Sequence, residues 1–185
     1  MQKILILGGG DMIGQKLAHH LADHGLNGDR EIAVTLFDMG FPPEGAAGVQ
    51  VIGNITDTAL VTKLLAQRPD VIFHLASVVS GEAEQDYAKG WAVNMMPHWL
   101  MMEDLRAQHE ASGGTYRPKM VFTSSIAVFG GPYPDKIGDE FPCGWHPPAS
   151  TRKSPFARHS WSAARLEIHR RSCPDKAHQT PRWTR

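Results

Sequence analysis

Long apolar runs, cysteines and tyrosines are scarce in this chain of 185 residues, and each shortage excludes a class of protein or site. No run of 18 apolar residues exists, and no basic segment followed by an apolar one opens the chain. We therefore predict a cytoplasmic protein with no membrane partner. Cys143 and Cys173 stand far apart without a paired metal-binding spacing, so neither a disulfide nor a metal site is predicted.

Strand and helix patterns alternate through residues 1–130. Strands are predicted over residues 3–7, 32–37, 49–52, 70–76 and 119–124, and helices over 12–24, 58–67 and roughly 85–109. Such alternation implies a parallel sheet with right-handed crossovers. The predicted fold class is therefore α/β: a Rossmann-type doubly wound parallel sheet, incomplete, with a poorly structured C-terminal tail.

Side chains on these elements are first interpreted as structural. Ile13, Leu17 and Leu21 share one face of the first helix, which predicts burial against the sheet. The tryptophans and methionines of the long helix, among them Trp91 and Trp99, are interpreted as core or subunit interface. His74 is interpreted as a strand-end histidine with satisfied hydrogen bonds.

The last 44 residues differ in composition from the rest of the chain. Residues 142–185 hold nine Lys or Arg against two Asp or Glu and three of the five tryptophans, but among Ile, Leu and Val only Leu166 and Ile168. So few aliphatic side chains cannot build a core. We predict a domain over residues 1–141 and an aberrant or disordered basic tail over 142–185. No nucleic-acid partner is predicted, because the tail contains no recognisable binding module.

The first strand runs directly into glycines 8–10 and then into a helix. Such a turn brings backbone N–H groups and the positive end of a helix together, which suits a pyrophosphate. Asp38 closes the second strand, where a carboxylate accepts hydrogen bonds from both ribose hydroxyls of an adenosine and repels a 2′-phosphate. This favours NAD over NADP as the cofactor. The alternative interpretation of Asp38 is an ordinary solvated aspartate.

The spacing Gly8-x-x-Asp11-x-x-Gly14 resembles the GxxGxxG loop of extended short-chain dehydrogenases/reductases, the NAD-dependent epimerase/dehydratase family. Four further segments resemble that family in register, namely residues 53–55, residues 74–76, Asn94 and residues 123–130. The resemblance covers about residues 1–141. It implies that the residues that bind NAD are Gly8, Asp11, Met12, Ile13, Gly14, Asp38, Asn54, Ile55, Leu75, Ala76, Asn94 and Thr123.

Asp11 departs from the family pattern, because it stands where the middle glycine of the loop belongs. That glycine lets the backbone approach the pyrophosphate, so a side chain obstructs the approach and a carboxylate also repels the phosphates. As an N-cap of the helix, Asp11 would place its own anion at the phosphate position. We therefore expect impaired cofactor binding; the alternative is a tolerated side chain that turns outward.

Residues 36–45 and 74–87 are most similar to D-erythronate dehydrogenases, a subgroup of this family. The similarity implies a small sugar or sugar-acid substrate, with oxidation of D-erythronate at C2 to the 2-oxo acid. Relatives often form homodimers through two long helices, here around residues 85–109 and the region after Pro142. Since the second helix is not recognisable, we expect an impaired dimer with exposed apolar surface.

Catalysis in this family requires a tyrosinate that moves the proton, a lysine that lowers the pKa of the tyrosine, and a serine or threonine that orients the substrate oxygen. Ser125 matches the serine; its alternative role is a strand-end serine that satisfies local backbone. No Tyr-x-x-x-Lys is present, because the residues four positions after the three tyrosines are Trp91, Met120 and Ile137. We therefore predict that this chain does not catalyse the family's reaction.

From about Cys143 onward we attribute the sequence to a shifted reading frame or a similar truncating event, with a natural disordered tail as the alternative. Translation of the coding DNA in its other two frames tests this hypothesis, which requires a Tyr-x-x-x-Lys and an apolar continuation just after Pro142. Three interpretations of the chain stay open: an oxidoreductase by lineage, a non-catalytic dinucleotide-binding module, and a defective product.

Overall fold

The computed structural model describes residues 1–124, 134–136 and 138 of the chain. The strands are β1 Gln2–Leu7, β2 Ile32–Asp38, β3 Val49–Ile52, β4 Val71–His74 and β5 Lys119–Phe122. The helices are α1 Met12–His24, α2 Thr58–Leu65, α3 Ser80–Gln85, α4 Tyr87–Gly90 and α5 Met96–Ala111, with a π-helical turn over Trp91–Met95 between α4 and α5. No helix in this part of the chain is both long and apolar enough to cross a lipid bilayer.

The strands form one parallel sheet in the order β3-β2-β1-β4-β5. The chain leaves β1 for β2 and β3 on one side and then returns to place β4 and β5 on the other. Leu7, at the end of β1, pairs with both Phe37 and His74, so the carboxyl ends of three strands meet where the order reverses. Open α/β sheets bind their ligands at this point. The predicted parallel, doubly wound sheet is confirmed.

The central strand β1 is buried on both faces because helices cover both sides of the sheet. Its side chains alternate between two apolar layers. Leu5 and Leu7 pack with residues of α2 and α5, whereas Ile4 and Ile6 pack with residues of α1. The other buried apolar side chains of these two layers are Phe37, Ile55, Val61, Leu64, Leu65, Ile72, Met101 and Leu105 in the first layer, and Ala18, Leu21, Leu36 and Val71 in the second.

Helix α1 spans the predicted residues but buries a different face. Its buried residues are Gly14, Ala18 and Leu21, whereas the side chain of Ile13 is 54% exposed. The small residues at 14 and 18 let the helix axis approach the sheet closely. The helix therefore packs on the sheet through the face that carries these two residues. The prediction that Ile13 is buried is therefore wrong.

The predicted helix over residues 85–109 is divided. Asp86 leaves helical geometry, and its side chain accepts a hydrogen bond from the Lys89 backbone N–H, so a new helix begins at Tyr87. Trp91 and Trp99 are 40% and 52% exposed, so a core position is wrong for both, and their predicted role in a subunit interface stays a prediction. Strands β4 and β5 each end two residues before their predicted ends.

Candidate dinucleotide-binding site

The glycine loop lies at the carboxyl end of β1, and close backbone contacts fix it there. The N–H groups of Gly8 and Gly9 both donate to the Phe37 carbonyl, at 2.9 and 3.1 Å. Gly8 has φ +87°, and a Cβ on it would lie 2.6 Å from the backbone nitrogen of Ala76. A Cβ on Gly14 would lie 2.2 Å from the Gly8 carbonyl oxygen, so glycine is required where α1 contacts the loop.

Helix α1 begins without a side-chain cap. Asp11 occupies the N-cap position in an ordinary extended conformation (φ −79°, ψ 168°), but its exposed carboxylate makes no capping hydrogen bond. The backbone N–H groups of Met12, Ile13 and Gly14 donate to no acceptor within the described ranges. The predicted N-cap position is therefore right, but the capping hydrogen bond is absent. Among the described residues, the first turn of α1 thus offers unpaired donors to an anion.

The Asp38 carboxylate, at the end of β2, faces the glycine loop. One oxygen accepts from the Gly10 N–H at 2.8 Å, and the other accepts from the Met39 N–H at 2.7 Å. A Cβ on Gly10 would lie 2.0 Å from the Gly40 carbonyl oxygen, so the loop and the end of β2 are in direct contact. Each carboxylate oxygen retains lone pairs for a further donor such as a ribose hydroxyl.

The segment after β3 closes one side of the site. The Gly53 N–H donates to the Asp38 carbonyl, and the Asn54 side-chain oxygen accepts from the N–H and hydroxyl of Thr56. The Asn54 amide nitrogen is 3.7 Å from the sulfur of Met39. The side chain of Ile55 is buried in the core, and the assignment of Ile55 to NAD binding stays a prediction.

The loop after β4 packs directly on the glycine loop. The N–H groups of Leu75 and Ala76 both donate to the Leu7 carbonyl, at 2.8 and 3.0 Å. Asn94, predicted as a cofactor contact, pairs both ends of its amide with the backbone of Val78, and its contact with the cofactor stays a prediction. Thr123 donates from its N–H and its hydroxyl to the His74 carbonyl, at 3.3 and 3.4 Å. Ser125 lies outside the described residues.

His74 is buried beneath this loop, at the end of β4. Its side chain is fully inaccessible, and neither ring nitrogen has a hydrogen-bond partner among the residues described. The interpretation of a satisfied histidine is therefore wrong for the ring, although the backbone is paired. The rings of His98 and Phe122 lie 5.6 and 5.5 Å from it between centroids. Burial, with a further contribution from the nearby His98, lowers the pKa of His74 to about 4.

Tyr116 does not take the place of the catalytic tyrosine that the family requires. Its hydroxyl donates to the Pro69 carbonyl at 2.8 Å, at the amino end of β4 and so at the opposite edge of the sheet from the glycine loop. Burial, with a smaller contribution from Asp70, raises the pKa of Tyr116 to about 12. A hydroxyl in this environment does not act as a base near neutral pH.

Residues 4–167 match the NAD dependent epimerase/dehydratase family. The chain belongs to this family. D-erythronate dehydrogenases from Cupriavidus necator and Haemophilus influenzae are 35% and 30% identical to it, in both cases over 74% of this chain. A solved structure, the nucleoside-diphosphate-sugar epimerase from Agrobacterium tumefaciens, is 38% identical with a TM-score of 0.67 and covers 77% of this chain and 43% of the epimerase. The predicted family and its cofactor, NAD, are confirmed.

The chain spans about two fifths of the length of these curated relatives, 43% and 42% respectively. The family match reaches residue 167, beyond the predicted boundary at residue 141, so that boundary stays a prediction. The assignment of individual residues to NAD binding or catalysis is likewise a prediction.

Two features of this epimerase/dehydratase site were missed from the sequence. The contact between Gly10 and Gly40 depends on the path of the chain after β2, which no local pattern encodes. The π-helical turn over Trp91–Met95 gives no periodic signal, since it inserts a single residue into an otherwise helical pattern. An asparagine in the middle of an apolar helix was the available signal for the second feature.

Proposed function

We propose that this chain descends from NAD-dependent dehydrogenases that oxidise a sugar acid such as D-erythronate at C2 to the 2-oxo acid. The similarity to two D-erythronate dehydrogenases carries the proposal. Such an oxidation removes a hydride from C2 and a proton from the hydroxyl on the same carbon. NAD supplies the hydride acceptor, and the protein must supply the base.

The described residues fit the adenosine and pyrophosphate half of NAD. Free N–H groups at residues 12–14 suit the pyrophosphate, and the glycines at 8 and 14 keep the backbone accessible beside them. The Asp38 carboxylate suits the adenosine ribose. Asn54 and the backbone of Ile55 suit the adenine, while Leu75, Ala76 and Thr123 form the surface further along the sheet edge.

For this chain itself, as distinct from its lineage, we propose that it binds NAD but does not catalyse the oxidation. No Tyr-x-x-x-Lys exists in the sequence, and residues 143–148 read Cys-Gly-Trp-His-Pro-Pro where the family's motif is expected. Without a tyrosinate and its lysine, no group is assigned to accept the hydroxyl proton. The favoured activity is therefore that of a non-catalytic dinucleotide-binding module within an enzyme lineage.

Calorimetric titration of NAD, followed by an assay for NADH with D-erythronate, tests both parts of this proposal. We expect one saturable binding event and no NADH above a protein-free control. An absence of binding by folded protein would make the chain a defective product, and NADH formation would contradict the proposed loss of catalysis.

Substitution of Asp38 is expected to change the preference between the two nicotinamide cofactors. Asp38→Ala should weaken NAD binding by about tenfold, on the order of 1.4 kcal/mol, because ribose hydroxyls lose a charged acceptor. NADP binding should not weaken, since the repulsion of its 2′-phosphate is also removed. Asp38→Asn serves as the control: it retains an oxygen acceptor without the charge. Equal losses for both cofactors in Asp38→Ala would show that Asp38 only shapes the loop.

A further inference from the structure

We propose that His20 and His24, on the exposed face of α1, bind a divalent transition-metal ion that prefers imidazole ligands, such as Ni²⁺, Cu²⁺ or Zn²⁺. The pair lies toward the carboxyl end of α1, whereas the glycine loop precedes the amino end of this helix. The metal site is therefore separate from the candidate NAD site and does not depend on the proposed function. The sequence alone predicts no metal site, so the proposal departs from that prediction.

The two imidazole rings are neighbours on one face of α1. His20 and His24 are four positions apart, and side chains at this spacing lie one above the other on a helix. Their ring centroids are 4.5 Å apart, and the two ring planes differ by 19°. Both residues are exposed, so a dissolved ion reaches both rings. An ion bonds imidazole nitrogen at about 2.0–2.1 Å, a span that exposed rings at this separation reach by rotation about their side-chain bonds.

One hydrogen bond already orients His24 as a metal ligand. Its Nδ1 lies 3.2 Å from the His20 carbonyl oxygen. A carbonyl oxygen only accepts, so Nδ1 carries the proton in this contact, and in the neutral ring Nε2 presents its lone pair. Histidines that ligate metals commonly donate their other ring N–H to a backbone carbonyl, which fixes the tautomer and the ring orientation. This contact is evidence for a ligand role that is independent of the spacing of the two histidines.

The charges around the pair are compatible with a bound cation. Helix α1 ends at His24, and the last turn of a helix carries the negative end of its dipole. Asp23 is exposed and adds a negative charge, whereas Lys16, one turn before His20, offsets part of it. In the part of the chain that the structure describes, no group of three or more His, Cys, Asp or Glu side chains could hold a metal ion. The site therefore has two protein ligands, and water completes the coordination of the ion.

Titration of the full chain with nickel chloride, followed by NMR of the backbone amides, tests the proposal. The titration is run at mildly alkaline pH, because protons compete with a metal for imidazole nitrogens. Paramagnetic Ni²⁺ broadens the signals of nearby nuclei, so binding at α1 is distinguished from binding at any other histidine or cysteine of the chain. We expect the amide signals of residues 19–25 to broaden. His20→Ala and His24→Ala should each raise the Ni²⁺ concentration that this broadening requires by at least about tenfold, because a single imidazole remains.

His19→Ala is the matched control, because it removes an exposed histidine of the same turn and leaves the pair intact. It should leave the broadening at residues 19–25 unchanged. Alanine favours a helix at exposed positions, so all three variants should retain the circular dichroism of the unsubstituted chain. Absence of broadening at residues 19–25 in the unsubstituted protein would overturn the proposal. Unchanged broadening in either His20→Ala or His24→Ala would also overturn it, as would equal losses in all three variants.

Discussion

Replacement of Asp11 by glycine is expected to raise the affinity for NAD by about 5- to 150-fold. One unfavourable charge contact near the pyrophosphate costs about 1–3 kcal/mol, which corresponds to this range. The expected loss of helix stability is small, because the Asp11 carboxylate makes no capping hydrogen bond. The N–H groups of residues 12–14 have no acceptor in the part of the chain that the structure describes, so they can meet the phosphates. Calorimetric titration of NAD into both proteins measures the effect.

Two control variants separate the causes. Asp11→Asn removes the charge but keeps the side-chain volume, so it should recover only the electrostatic part of the gain. Asp23→Asn changes the net charge equally at an exposed position near the end of α1, and it should leave the affinity unchanged. Equal affinities for Asp11→Gly and the unsubstituted chain, with both folded by circular dichroism, would show that Asp11 points away harmlessly. Turnover should stay undetectable in every variant, because none supplies the absent tyrosine and lysine.

The order of elements and the position of the glycine loop could be predicted because each depends on local sequence. A continuous apolar strand followed by glycines is sufficient to place β1, the loop and α1. The position of Asp38 beside the glycine loop could be predicted for a related reason, since the carboxyl ends of parallel strands share one edge of the sheet. These features place the candidate site without any knowledge of long-range contacts.

The use of each polar side chain could not be predicted, because it depends on residues distant in the chain. Asn94 forms hydrogen bonds with Val78, 16 positions earlier, from within a π-helical turn that the sequence does not indicate. The exposure of Ile13 depends on how closely Gly14 lets α1 approach the loop. The periodicity of apolar residues identifies the buried face of a helix to within a residue or two. A single small residue can change which of the neighbouring faces packs against the sheet.

The shifted pKa of His74 could not be predicted from the sequence either, because it depends on residues distant in the chain. The sequence places it at a strand end but gives no indication that its ring is enclosed by apolar and aromatic groups. The structure surrounds it with His98 and Phe122 and leaves both ring nitrogens without partners among the described residues. Burial of the charged form is unfavourable, so the pKa falls from 6.5 to about 4.

This shift predicts a loss of stability in acid. Above pH 6.5 the ring is neutral in both the folded and the unfolded chain, and its titration does not affect stability. As the pH falls from 6.5 toward 4, the unfolded chain takes up a proton that the folded chain does not, so the free energy of unfolding falls. The full shift corresponds to about 3 kcal/mol. Urea unfolding of the unsubstituted protein at a series of pH values across this window measures the loss.

His74→Leu should remove most of this loss, because leucine has a similar volume, does not titrate, and leaves no unpaired nitrogen in the layer. The free energy of unfolding of the variant should therefore exceed that of the unsubstituted chain increasingly as the pH falls. His20→Leu replaces an exposed histidine of α1 and should not reproduce this divergence. His98, whose pKa burial also lowers, is retained in both proteins, so its own burial affects both pH profiles, whereas its charge effect on His74 is lost with the His74 ring. Parallel pH profiles for the His74→Leu variant and the unsubstituted chain would show that the His74 ring is protonated equally in the folded and unfolded states.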